Sequence, residues 1–247
     1  MAPAPLTKLR RYGRLLNQAR HGLTYLVNDE VYWDRYVKDW EASDDATLYD
    51  VLGAEWKNEE RFLDALRRHT DPAATALEIG CGGGRITRTA VELVRHVHAC
   101  DVSREMLRKA QDTVPAANLS FHKLDGFTLD EFAPDSVDVV YSHDVFVHFS
   151  SLQVYPYLQE IRRVLRPGGV GLLSFYNFVR HFELFRELSL YYWRSRRYPS
   201  HQRIHFLTEE MARTMLADLQ LDIVDTDTEN YLIVAFRKAD AVAETAG

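Results

Sequence analysis

An α/β fold, an open parallel sheet with helices on both faces, is the fold class this sequence predicts, and three observations predict it. From Ala74 to about Phe175, short apolar runs alternate with helix-period stretches. A glycine-rich turn, "LEIGCGGGRITRTA" at Leu77–Ala90, joins the first such run to the first such helix. The proline and glycines of "RPGG" separate the clearest helix from the next run. At 247 residues and 46% hydrophobic, the chain can bury one sizeable core.

Residues 1–73 read as an N-terminal helical cap, without strand-like alternation. Lys8, Arg10, Arg11, Arg14 and Arg20 precede the first acid, Asp29, and Leu9, Leu15 and Leu16 make an amphipathic stripe. That pattern suits a solvated helix face better than a transit peptide or membrane-surface helix. An aromatic stretch (Leu26, Val31, Trp33, Tyr36, Trp40) follows, then "NEERFLDALRRH" with Asn58 as cap and Phe62, Leu63 and Leu66 on one face. Asp71-Pro72 closes the zone.

Residues 74–238 form the α/β unit. "TALEIG", "HVHACD", "LSFHKLD", "VDVVYS" and "VGLLSF" are read as five strands. The helices between them are "RITRTAVELV", "SREMLRKAQDT" capped by Ser103, and a third with Val154, Tyr157, Leu158, Ile161, Val164 and Leu165 at helical spacing, which ends at "RPGG". Residues 176–206 break the rhythm with aromatics (Phe178, Phe182, Phe185, Tyr191, Tyr192, Trp193, Tyr198) and six arginines against two glutamates. As a lid they would clamp an apolar acceptor; as the core of a helical cap they would only pack. "TEEMARTMLADL", capped by Thr208, and the strands "DIVDTDT" and "YLIVAF" complete the unit, and 239–247 reads as a flexible tail.

A glycine turn beyond a strand end lets a ligand approach the backbone, and a nicotinamide dinucleotide and S-adenosylmethionine suit it equally at first sight. Two residues separate them. The dinucleotide pattern wants a small residue where Arg85 stands. Glu78 suits a ligand that brings an ammonium group.

Glu78-Ile79-Gly80-Cys81-Gly82-Gly83-Gly84 resembles the first motif of the class I S-adenosylmethionine-dependent methyltransferases. "ACDVSREML", "KLDGF", "VDVVYSHDVFVHF" and "EIRRVLRPGGVGLLSF" resemble the later motifs, in order, and the match is closest to the small-molecule branch. The resemblance implies a Rossmann-like, doubly wound, seven-stranded and mostly parallel sheet whose last strand is antiparallel. It implies S-adenosylmethionine as cofactor, S-adenosylhomocysteine as product, and a cofactor site of Glu78, Gly80, Cys81, Gly82, Asp101, Val102, Met106, Asp125, Gly126, Ser142 and His143. Asp101 would accept from the ribose hydroxyls, Val102 and Met106 would pack on the adenine, and Asp125 would accept from its amino group. As lone residues, Asp101 and Asp125 have a lesser alternative reading as a helix cap and a turn residue.

His143 and His148 follow the fourth strand. His148 is the candidate base or acceptor-orienting group, against a packing role. His143 is the second catalytic candidate and is expected to line the cofactor pocket through its backbone, with Asp144 a weaker base. Tyr32, Trp33 and Tyr36 join His148 as candidate acceptor contacts. Ser142-His143-Asp144-Val145 lacks the proline motif of nucleic-acid amine methylation, and Asp144 with Tyr176-Asn177 offers too few hard ligands, so no metal is expected.

The expected activity is methyl transfer to O or N of a small-molecule acceptor. A non-catalytic cofactor- or partner-binding protein and a NAD-dependent oxidoreductase are the alternatives. Net charge −6 disfavours nucleic acid, no apolar run is long enough for a membrane span, and the two cysteines, Cys81 and Cys100, suit a cytoplasmic setting. Monomer and homodimer are both open.

Overall fold

The computed structural model describes residues 29–41, 59–195 and 204–240. The readings for residues 1–28, for the Asn58 cap, for Tyr198 and for the side chain of Trp40 lie outside the described residues, as does most of the tail.

Helix α1 (Asp29–Glu41) stands apart in sequence from the alternating unit, which begins with α2 (Glu59–His69). Glu59 and Glu60 in the first turn of α2 and Arg67, Arg68 and His69 in its last turn suit the helix dipole. Then follow β1 (Thr75–Ile79), α3 (Thr87–Leu93), β2 (His96–Asp101), α4 (Arg104–Thr113), β3 (Leu119–Lys123) and β4 (Val137–Ser142). The chain continues through α5 (Ser151–Val164), β5 (Leu165–Asn177), α6 (Phe182–Ser195), β6 (Phe206–Leu207), α7 (Glu209–Asp218), β7 (Leu221–Asp227) and β8 (Tyr231–Lys238). Ser103 and Thr208 cap α4 and α7, accepting from the amides of Met106 and Met211.

The sheet order is β3-β2-β1-β4-β5-β8-β7, with the two-residue β6 added in parallel beside the end of β5. β1 to β5 run parallel, and β8 runs antiparallel to both β5 and β7. The expected architecture is therefore present, with β6 as an eighth strand. β1 and β4 are almost wholly buried, as a strand covered on both faces must be. One core cluster joins Phe62, Leu63 and Leu66 of α2 to Ala76, Val97 and Ala110; the other joins Ile79, Val140 and Phe175 to Ile161 of α5 and Leu216 of α7. α2 thus belongs to the core of the sheet itself.

Two boundaries differ from the periodicity. Residues 82–86 form a turn in which Gly82 and Gly84 have φ +53° and +90°, outside the helical region, so α3 starts only at Thr87. α5 ends at Val164, before "RPGG", and β5 begins at Leu165. The pairing moves from Val137↔Leu165 to Val139↔Val170, so Arg166–Gly169 form an irregularity inside the strand rather than its prelude. Proline is tolerated at such a bulge, where no ladder donor is required, and Gly168 supplies φ +77°.

Candidate active site

β1 lies between β2 and β4, where the winding reverses, and the loops after these three strands form the crevice in which such sheets hold ligands. The turn after β1 is fastened on three sides. The amides of Gly80 and Cys81 donate to the carbonyl of Cys100 at 2.8 and 2.9 Å, and Gly82 N donates to Asp101 Oδ2 at 2.9 Å. On the third side Ser142 Oγ donates to the carbonyl of Ile79 at 2.7 Å. Gly80 has φ +73°, and a Cβ there would sit 2.4 Å from Val145, so the turn packs directly on the loop after β4. At Gly82, φ +53°, a Cβ would meet nothing within 4 Å: this side of the turn is the open one.

Asp101 is 7% exposed, and its second oxygen accepts from Ser103 N at 2.9 Å. Burial pushes its carboxyl up to about 6, against the pull of the Ser103 and Gly82 amides. Glu78 lies deeper, accepting from Thr87 Oγ1 at 2.6 Å and from the Tyr141 hydroxyl at 3.1 Å. Burial raises it to about 7 although both hydrogen bonds favour the charged form. The Cys81 thiol is buried and pushed well up by desolvation, which keeps it protonated. Asp125 is exposed and accepts from Phe127 N at 2.7 Å and Thr128 N at 2.8 Å, next to Gly126 at φ +88°. Desolvation raises its carboxyl, but the amides of Thr128 and Phe127 and the Thr128 hydroxyl together outweigh it and hold the group below its ordinary value.

The two histidines after β4 part company. His143 is turned inward: its side chain is 1% exposed, stacked 4.4 Å from Phe62, with Nδ1 3.0 Å from Ser174 Oγ. Burial lowers it to about 4, so at neutral pH the ring is uncharged. His148 ends a 3₁₀ turn, Phe146–His148, and is half-buried, its ring edge-to-face with Trp33 at 4.9 Å. Asp144, with φ +59°, is not placed as a free base. Arg85 Nη2 donates to it at 2.6 Å and Arg85 Nη1 to Glu59 at 3.2 Å. Burial would raise the Asp144 carboxyl, but His143 and Arg85 more than offset it and hold the group low. Arg85 therefore ties the glycine turn to α2 and to the loop after β4.

α1 closes the other side. Asp34 Oδ1 accepts from Ser103 Oγ at 2.6 Å, and Val37 packs on Met106 together with Trp33 and Tyr36. Met106 is buried beneath this helix, while Val102 Cγ1 lies 3.4 Å from where a Cβ on Gly126 would be. Tyr32, Trp33 and Tyr36 form a contiguous ring cluster whose Trp33 reaches His148. Asp34, Thr87, Tyr141 and the Glu59–Arg85–Asp144 triad escaped the sequence reading, because each acts on a partner at least nine positions away and none has a motif.

On the far side of the 3₁₀ turn, His205 N donates to the carbonyl of Val147 at 2.7 Å. This seats β6 beside a cavity of about 250 Å³ lined by Phe178, Phe185, Leu188, Tyr192, Ile204 and Phe206. The region read as lid or packing core does line a cavity. Among the described residues, no group of three or more His, Cys, Asp or Glu is arranged to hold a metal ion.

Comparisons with known proteins bear on this arrangement. A family described as "Methyltransferase domain" matches residues 77–173. A methyltransferase of Aspergillus aculeatus, AacuQ, is 26% identical over 140 residues, covering 57% of this chain and 41% of that protein. An N-terminal Xaa-Pro-Lys N-methyltransferase 1-B of Xenopus laevis is 28% identical over 164 residues, covering 61% of this chain and 74% of that protein. The chain thus spans less than half the length of the Aspergillus relative and about three quarters of the frog one. Among solved structures, magnesium protoporphyrin IX methyltransferase of Synechocystis PCC 6803 with bound S-adenosylhomocysteine superposes with TM-score 0.66 at 16% identity, covering 85% of this chain and 98% of that one, a likeness of fold. Strand order, glycine turn and family match agree: residues 77–173 match the methyltransferase-domain family, and the sheet has the fold of the solved methyltransferase structure.

Proposed function

We propose that the protein moves a methyl group from S-adenosylmethionine to an oxygen or nitrogen of a small acceptor with an apolar, ring-bearing body. The observation that carries this reading is the aromatic cavity joined by the His205–Val147 hydrogen bond to the turn that ends in His148. The glycine turn suits the donor: its open side is at Gly82, and the Asp101 carboxylate stands directly beside it.

In this reading Asp101 accepts from the ribose, Val102 and Gly126 border the adenine, and Asp125 accepts from the adenine amino group. Glu78 and Cys81 back the turn. Bound there, the sulfonium supplies an activated methyl group. That methyl group would pass to a lone pair on the acceptor, the carbon–sulfur bonding pair remaining on sulfur. His148 takes the acceptor proton or orients the acceptor, and Trp33 holds its ring in place. His143 is a positioning residue: neutral and hydrogen-bonded to Ser174, it sets the loop that carries Asp144 and Val145. Positioning alone can contribute about 7–11 kcal/mol to such a transfer.

The likeness to the frog enzyme favours a second reading, transfer to the α-amine of a protein N-terminus. Titration calorimetry with S-adenosylmethionine and with NAD tests the donor; preferential NAD binding would overturn it. Transfer of labelled methyl to a panel of phenols and aromatic amines, set against Xaa-Pro-Lys peptides, tests the acceptor. Label on the peptides alone would replace the small-molecule reading. His148→Ala is expected to lower kcat by roughly 10²–10⁴-fold with near-normal cofactor affinity, and unchanged turnover would make His148 a packing residue.

A further inference from the structure

Helix α6 buries one residue, Leu184. Phe185, Leu188, Ser189 and Tyr192 line the aromatic cavity. At 3.6 residues per turn, Phe182, Trp193 and Leu190 fall within an arc of about 80° on the adjoining side. They are 48%, 72% and 42% exposed, and Val179, just before the helix, is 73% exposed. One exposed apolar side chain is ordinary; a strip of four on and beside one helix, with a tryptophan in it, marks a surface that meets something. Arg186 projects within the same arc, 4.0 Å from Glu183 beside it, and Arg180, which donates to the carbonyl of Thr228 at 3.0 Å, and Arg194 lie near it, all three exposed. Residues 176–206 carry six arginines against two glutamates in a chain of net charge −6.

We propose that this strip docks on an anionic lipid bilayer, with α6 lying in the plane of the membrane surface. Phe, Leu and Trp on one side of a helix with arginines among them is the composition of an interfacial helix, its apolar strip reaching the headgroup boundary and its guanidinium groups meeting phosphate. The charge asymmetry orients the protein, since the acidic remainder is repelled by the surface that attracts this face. No helix among the described residues is long and apolar enough to cross a membrane. Docking places the cavity side of α6 next to the bilayer. The docking surface stands whichever acceptor the methyl transfer uses.

Sedimentation of the full chain with phosphatidylcholine vesicles, with and without phosphatidylglycerol, tests the surface. Binding is expected on the mixed vesicles and is expected to fall with added salt. Leu190→Ser with Trp193→Ser is expected to weaken it at least about tenfold. Arg180→Gln with Arg186→Gln and Arg194→Gln is expected to weaken it by roughly a hundredfold, on mixed vesicles only. S-adenosylmethionine titration of each variant reads whether the cofactor site is intact, separately from docking. On the unaltered protein, amide exchange across Phe182–Ser195 is expected to slow when mixed vesicles are added. The proposal is overturned by absent sedimentation, by unchanged exchange, or by variants that bind as the parent does. Self-association abolished by Leu190→Ser with Trp193→Ser, without vesicle binding, would instead assign the face to a second copy of the chain.

Discussion

Asp101 accepts from Gly82 N in the glycine turn and from Ser103 N at the start of α4, and under the proposed function it also accepts from the ribose of the cofactor. Asp101→Ala should therefore weaken S-adenosylmethionine binding by about 100-fold, the loss of two hydrogen bonds to a charged group, as read by calorimetry. Burial has raised this carboxyl to about 6. Donated ribose hydroxyls need it ionised, so affinity should hold above that pH and decline below it, while Asp101→Asn should show no such decline. Glu78 and the histidines make opposite demands on stability. Glu78, raised from 4.5 to about 7, favours the folded state at low pH and loses that contribution as pH rises through about 7. His98 and His143, both lowered from 6.5 to about 4 by burial, contribute fully above 6.5 and lose it as pH falls toward 4. Between those limits the two trends oppose each other. Glu78→Gln keeps acceptors for Thr87 and Tyr141 but removes the buried charge. It should raise Tm at pH 8 and steepen its loss on acidification, and a parallel shift at every pH would refute the assignment.

The turns after β1 and β4 are one packed unit, and substitutions at its two glycines should separate folding from binding. Gly80→Ala places a methyl group 2.4 Å from Val145 at φ +73°, an expected loss of about 2–4 kcal/mol in denaturant unfolding. Gly82→Ala meets no neighbour, so its loss should be limited to about 1–2 kcal/mol for the left-handed backbone. Cofactor affinity should fall sharply, because the new methyl group occupies the open side of the turn. α5 offers a converse case. Pro156 lies inside the helix, where it withholds an amide from the ladder, and it is exposed. Pro156→Ala should therefore raise stability by about 2 kcal/mol, the recovered helix contribution less the unfolded-state entropy that proline removes.

Across the whole molecule, the strands were legible as short, mostly apolar runs between turn signals: "HVHACD" and "VDVVYS" coincide with β2 and β4, the latter buried along nearly its whole length. The capping serines and threonines were legible for the same local reason, one side chain serving an amide three residues on. Interrupted pairing was less legible. "RPGG" reads as a terminator, yet the edge of β4 draws the chain into pairing from Leu165 onward. The site divides along the same line. Sequence alone determined the alternation of strands and helices, the glycine turn and the acids at the ends of the second and third strands, because these depend on neighbours a few residues apart, while the sheet order was what the family resemblance implied. Tertiary structure alone decided that His143 turns inward onto Phe62 while His148 meets Trp33, that Arg85 binds Asp144 and Glu59, and that α1 covers Met106. Each of those outcomes depends on which distant surfaces are packed together, and burial, which sets both charge state and orientation, exists only once they are.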